Sequence, residues 1–195
     1  MKTYIALFRG INVGGNNMLP MKELVAVLED LGAQSVRTYI QSGNAVFRSR
    51  EKDASRLSNE IRAAIKRRRG FEPHVLLLGL EDLERAIEKN PFPEAESDPK
   101  TLHAGFLASV PKNPDLTTLE RLRQDDERFD LVGKVFYLHA PKGIGRSKLA
   151  ARAEKLLGVA MTDRNWRTVR KAWEMAKALP RTAGALERRR RTCGP

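Results

Sequence analysis

The sequence predicts an α+β protein in which the order β-α-β-β-α-β occurs twice. Three observations carry this. An apolar strand, "TYIALF" (3–8), is followed by a helix, a two-strand hairpin, a second helix and a further strand, "PHVLLLG" (73–79). A polar, proline-rich stretch, "PFPEAESDPK" (91–100), then interrupts the pattern. Beyond it the same order of elements returns, although the two halves share little residue by residue. That order is the split β-α-β arrangement of the ferredoxin-like fold, so two such units in tandem are expected, each with an antiparallel sheet, followed by a C-terminal helix.

Each element follows from local chemistry. "TYIALF" is apolar on both faces, which suits a strand covered on both sides. In "LPMKELVAVLEDLG" (19–32), Pro20 fits a first helical turn, Leu24, Leu28 and Leu31 form a stripe, and Gly32 fits just past the end. "SVRTYI" and "NAVFRS" flank "QSG" and predict a hairpin. Residues 55–70 repeat Leu57, Ile61 and Ile65 at helical spacing and stop at Gly70. "EDLERAIEKN" (81–90) is a short helix closed by Pro91 and Pro93.

In the second half, strands are expected at 101–109, in "RFDLVG" and "KVFYLHA" around Gly133, and in the short "VAMT" (159–162). Helices are expected at 114–124, 147–158 and 165–179. The organisation is therefore a first unit over 1–90, a linker over 91–100, a second unit with its terminal helix over 101–180, and a basic tail over 181–195. Because strand one is apolar on both sides, its sheet needs a second cover. Either the other half or another chain can supply it.

Composition limits the function. Hydrophobic residues make up 41% of 195, enough for a sizeable core. No apolar stretch approaches the roughly 20 residues that span a bilayer. Cys193 is the one cysteine, which excludes a disulfide scaffold and fits a cytoplasmic setting. The net charge is +12, of which the tail carries +4, so the remainder is basic at +8. A basic surface attracts phosphates on nucleotides or nucleic acid, and it also serves plain solubility.

Two polar loop clusters are the candidate sites. In the first unit the first and second strands run parallel, so the loop "RGINVGGNN" and the hairpin turn "QSGN" share one end of the sheet. This gathers Arg9, Asn12, Gly14, Gly15, Gln41, Ser42 and Asn44. The glycines permit positive φ and close backbone approach, which serves a tight turn as well as a ligand. In the second unit, "APKGIGRSK" runs into a helix start and "TDRNW" leaves the fourth strand at the same end. Lys142, Arg146, Ser147, Lys148, Arg164 and Asn165 would form a cationic, glycine-flanked helix N-terminus of the kind that binds anions. Ser147 also fits an N-cap, and Trp166 reads as a packing residue.

Other chemistry is thin. His74, His103 and His139 lie far apart and make no zinc spacing, so no metal and no cofactor are expected. No nucleophile elbow or paired-carboxylate pattern stands out, and "NAVFRS" lacks the aromatic order of an RNA-stacking sheet.

"ALFRGINVGGNNMLPMKEL", "LGAQSVRTYIQSGNAVF", "GRSKL" and "TDRNWRTVRK" resemble the signature stretches of the bacterial domain-of-unknown-function 1697 family. The resemblance extends to about residue 179 and leaves the arginine-rich tail outside. It implies paired ferredoxin-like units and brings no established activity. Arg9, Gly10, Asn12, Gly14, Gly15, Tyr39, Gln41, Ser42, Gly43 and Asn44 match its first motifs, and Ser147, Lys148, Leu149, Arg164, Asn165 and Trp166 the later ones. Asp163 and Arg167 depart from the pattern. Three functions follow as expectations: binding of a phosphate-bearing ligand (nucleotide or nucleic acid), an enzyme on a small polar or phosphorylated substrate, or an assembly module whose loops are rigid turns. No membrane partner is expected, and the oligomeric state is open.

Overall fold

A computed structural model describes residues 1–41 and 43–180; Ser42 and the basic tail over 181–195 lie outside the described residues. The first half contains β1 (Lys2–Arg9), α1 (Met21–Asp30), β2 (Gln34–Tyr39), β3 (Asn44–Ser49), α2 (Ala54–Arg69) and β4 (His74–Gly79). Next come α3 (Leu80–Glu88) and a 3-10 turn at Pro93–Ser97. The second half contains β5 (Leu102–Leu107), α4 (Leu116–Leu122), β6 (Arg128–Val132), β7 (Val135–His139), α5 (Lys148–Leu157) and β8 (Met161–Asn165), and α6 (Trp166–Lys177) closes the described chain.

Each half forms a four-stranded antiparallel sheet, ordered β2-β3-β1-β4 and β6-β7-β5-β8. The order β-α-β-β-α-β thus occurs twice, as the patterning predicts, and the fold is α+β with tandem ferredoxin-like units.

The alternation of β1 builds the layers. Tyr4, Ala6 and Phe8 enter one core with Leu24, Leu28, Leu57, Ile61 and Ile65 from α1 and α2. Ile5 and Leu7 point the other way, into a core shared with Leu83 and Ala86 of α3, Trp166, Val169 and Ala172 of α6, and Ala104, Phe106 and Tyr137 of the second sheet. The second cover of strand one is therefore this chain's own second half. A third core packs Leu107, Phe136 and Leu138 against Leu119 of α4 and Leu149, Ala153 and Leu157 of α5. Each fully buried Leu, Ile, Val or Phe in these cores contributes about 1.5–3 kcal/mol. Within the middle core, the Tyr137 hydroxyl donates to the Ala86 carbonyl at 2.6 Å, so its polar tip is satisfied in an apolar layer.

Caps set the helix ends. Asp53 accepts from the Ser55 and Arg56 amides at the start of α2, and Gly70 ends it with φ +76°. Pro91–Lys100 is structured in part: Phe92 and Ala95 are buried in the middle core. The fourth strand of the second half departs from the sequence expectation. It spans Met161–Asn165, so Asp163, Arg164 and Asn165 belong to β8 and not to a loop. Asp163 pairs with His103 across the sheet, Arg164 reaches Asn44 of the first half, and Asn165 bonds to Thr168 at the start of α6.

Candidate functional site

The loop after β1 and the β2–β3 hairpin do meet. Asn12 donates from Nδ2 to the Gln41 carbonyl at 2.9 Å and to the Leu19 carbonyl at 2.8 Å, while its Oδ1 accepts from the Leu19 amide at 2.7 Å. One side chain therefore ties both ends of the loop to the hairpin. Gly14 and Gly15 have φ of +60° and +76°, and Asn12 and Asn17 also occupy the left-handed region. Asn17 donates to the Gly10 carbonyl at 2.8 Å. The amide side chains in this loop largely close it on itself, while Gly14 and Gly15 stay exposed.

Arg9 and Asn44 are turned to a different use. Arg9 donates to Glu154 of α5 at 2.6 Å and to the Met161 carbonyl at 2.8 Å. Asn44, buried, accepts from Arg164 at 2.6 Å. Arg164 also donates to the Phe8 carbonyl at 2.5 Å and reaches the Gly43 carbonyl at 3.3 Å. Burial pushes the Arg164 guanidinium down to about 10, partly countered by Asp163. Each half thus inserts one arginine into the other beside the loop cluster.

The second cluster assembles only in part. Lys142 pairs with Asp126 at 3.0 Å. Ser147 caps α5 by accepting from the Ala150 amide at 3.0 Å. Arg146 and Lys148 are exposed beside that helix start and have no carboxylate partner among the described residues. Arg164 does not join them, because it is drawn into the first half. Asn165 serves as the α6 cap, accepting from the Thr168 amide at 3.0 Å and the Thr168 hydroxyl at 2.9 Å.

A groove that the sequence expectations left out lies at the start of α6. It has a volume of about 380 Å³ and is lined by Tyr39, Glu96, Pro99, Trp166, Arg167, Arg170, Lys171 and Glu174. The Arg164–Asn44 bond positions it: Asn44 also donates to the Tyr39 carbonyl, and Arg164 lies two residues before Trp166. Lys171 pairs with Glu174 at 3.5 Å, and Glu96 accepts from Asn90. Arg167 and Arg170 have no carboxylate partner among the described residues; Arg170 stacks 4.9 Å from the Trp173 ring centroid. Trp166 is 1% exposed, and its buried indole N–H has no hydrogen-bond partner among the described residues. The signal in the sequence was the spacing of Arg167, Arg170 and Lys171, which places three cations on one helical face.

The second half also holds a pair that spacing could not reveal. His103 Nδ1 lies 2.8 Å from Asp163 Oδ2, joining β5 to β8. No hydroxyl or thiol is bonded to that imidazole among the described residues. No cluster of three or more metal-ligating side chains occurs among the described residues, and no described helix is long and apolar enough to cross a membrane.

Comparison with known proteins gives a family without an activity. Among solved structures, the chain resembles the conserved bacterial protein SP0830 from Streptococcus pneumoniae, at 28% identity and a TM-score of 0.70, over 90% of this chain and 98% of that one. No curated protein matches. Residues 1–137 match the family described as "Protein of unknown function (DUF1697)"; Arg164 and the α6 groove cations lie beyond that stretch. Since the match spans well over half of the sequence, the chain belongs to the DUF1697 family.

Proposed function

We propose that this protein binds a phosphate-bearing ligand of mononucleotide size in the groove between Tyr39 and α6. The observation that carries this reading is the coincidence in one groove of Arg167 and Arg170, which have no carboxylate partner among the described residues, with the Tyr39 ring. Phosphate oxygens suit guanidinium donors, and the positive end of α6 adds to the attraction. Tyr39 offers an aromatic face on which a base can stack. A volume of about 380 Å³ lies at the low end of the range of small-molecule sites.

A second reading keeps the phosphate at the α5 start. Exposed Arg146 and Lys148 flank the Ser147-capped helix there, which favours an anion from solvent. Both readings describe a binding protein for a nucleotide or nucleic acid.

A thermal-shift comparison of adenosine, AMP and inorganic phosphate tests the proposal. A ligand that binds the folded state stabilises it by mass action. The expected order is AMP above phosphate, with adenosine alone giving little. No shift with any of the three at millimolar concentration removes the reading.

A further inference from the structure

We propose that the cleft between β4 and the β6–β7 hairpin binds an extended peptide of alternating apolar and acidic residues, which adds a strand to the free edge of β4. The cleft encloses about 680 Å³, and Val75–Leu78 line it on one side and Phe106, Val132 and Val135 on the other. β4 is an edge strand, paired only with β1. Phe8 turns its amide to the Gly43 carbonyl at 2.8 Å, away from β4, so its opposite residue Val75 turns its main-chain groups away from β1. In an antiparallel ladder the same orientation then recurs at Leu77 and Gly79.

Two of these three outward residues are already engaged. The Ser58 hydroxyl donates to the Val75 carbonyl at 2.7 Å, and the Gly79 amide donates to Asp82 at 2.9 Å. Leu77, midway between them, pairs with Ala6, so its amide and carbonyl face away from β1, and no group outside the ladder bonds to them among the described residues. Unpaired main-chain groups on a sheet edge are a template for an added strand.

The walls specify the occupant. Alternate side chains of an added strand face opposite sides of the sheet. One set meets the apolar wall of Leu76, Leu78 and Phe106; the other meets Ser55 and Asn59 of α2. Lys89 and Lys134, both exposed and without a carboxylate partner among the described residues, border the cleft, where Arg85 pairs with Asp82 at 3.7 Å and leaves the two lysines as the excess charge. Charge complementarity therefore selects an acidic peptide and opposes the arginine-rich end of this same chain.

The test is selection from a displayed library of random dodecapeptides against the purified full chain, followed by titration of the enriched peptide. Enrichment of alternating apolar and acidic sequences is expected. The Lys89→Glu, Lys134→Glu double variant, checked for an unchanged melting temperature, should bind the enriched peptide at least about tenfold more weakly. Amide exchange at Leu77 should slow when the peptide is added. Enrichment of basic or unpatterned peptides, no enrichment at all, or equal binding by the double variant would overturn the proposal. So would a dimer by light scattering with the Leu77 amide already protected, since a second copy would then hold the edge.

Discussion

Arg9 and Arg164 cross between the two halves in opposite directions. Arg9, at the end of β1, donates to Glu154 and to the Met161 carbonyl of the second half. Arg164, on β8, donates to Asn44 and to the Phe8 carbonyl of the first. Phe8 precedes Arg9 directly, so the two crossings lie side by side. The polar residues that look most like a ligand site thus also join the halves.

Removing the inner crossing should loosen that joint. Arg164→Ala leaves the Phe8 carbonyl and the Asn44 side chain without their donor, at a cost of about 1–3 kcal/mol for an unsatisfied buried group. Arg164→Lys should recover only part of this, because an ammonium cannot reproduce the planar fork. Urea denaturation of the three proteins measures it; equal midpoints would show that the crossing is idle.

The outer crossing responds to pH. Burial pushes the Glu154 carboxyl up, but the Arg9 hydrogen bond and the Met161 amide outweigh it and hold the group below its ordinary value. A carboxyl with a lower folded than unfolded pKa stabilises the fold above the unfolded value, and that contribution is lost as pH falls through the folded one. Glu154 is 43% exposed on its side chain, so solvent screening limits the effect to below about 1 kcal/mol. Glu154→Gln should flatten the acid limb of a stability-versus-pH curve and leave a small, constant loss near neutrality. An unchanged acid limb would contradict this.

Two glycines of the first cluster should differ. A Cβ at Gly43 would sit 2.7 Å from both Ile11 Cδ1 and Phe8 Cβ, with φ at +84°. At Gly14 the φ is +60° but the space is open. Gly14→Ala should lose about 1–2 kcal/mol from backbone strain alone. Gly43→Ala adds an overpacking penalty of about 1–3 kcal/mol. Thermal melts of the two variants should therefore separate, with Gly43→Ala the lower.

Local pattern made the layers legible. The double-sided apolarity of Tyr4–Phe8 announced a strand with two covers, and Gly70 and Gly158 marked helix ends where both now have positive φ. The end of β8 was not legible, because Asp163 and Arg164 look like loop residues until their partners are known. Those partners, His103 and Asn44, are 60 and 120 positions away. The meeting of Asn12 with Gln41 followed from topology, whereas the departure of Arg164 from Lys142 and Arg146 depended on packing between the halves. The α6 groove combines Tyr39 with Arg167 and Arg170 for the same reason: no local spacing connects a hairpin foot to a helix start in the other half.

The most direct measurement is calorimetric titration of AMP into the wild type and two double variants. Arg167→Ala, Arg170→Ala removes the unpaired cations of the groove; Arg146→Ala, Lys148→Ala removes those at the α5 start. Arg146, Lys148 and Arg167 are exposed and Arg170 is half-buried in the groove wall, so both variants should stay folded. The wild type should bind with a Kd between millimolar and micromolar, about 4–8 kcal/mol. Loss of at least about tenfold in affinity, or about 1.4 kcal/mol, is expected for the groove variant, with the α5 variant near wild type. Full retention of binding by the groove variant would contradict the proposed site, and loss confined to the α5 variant would place the phosphate there.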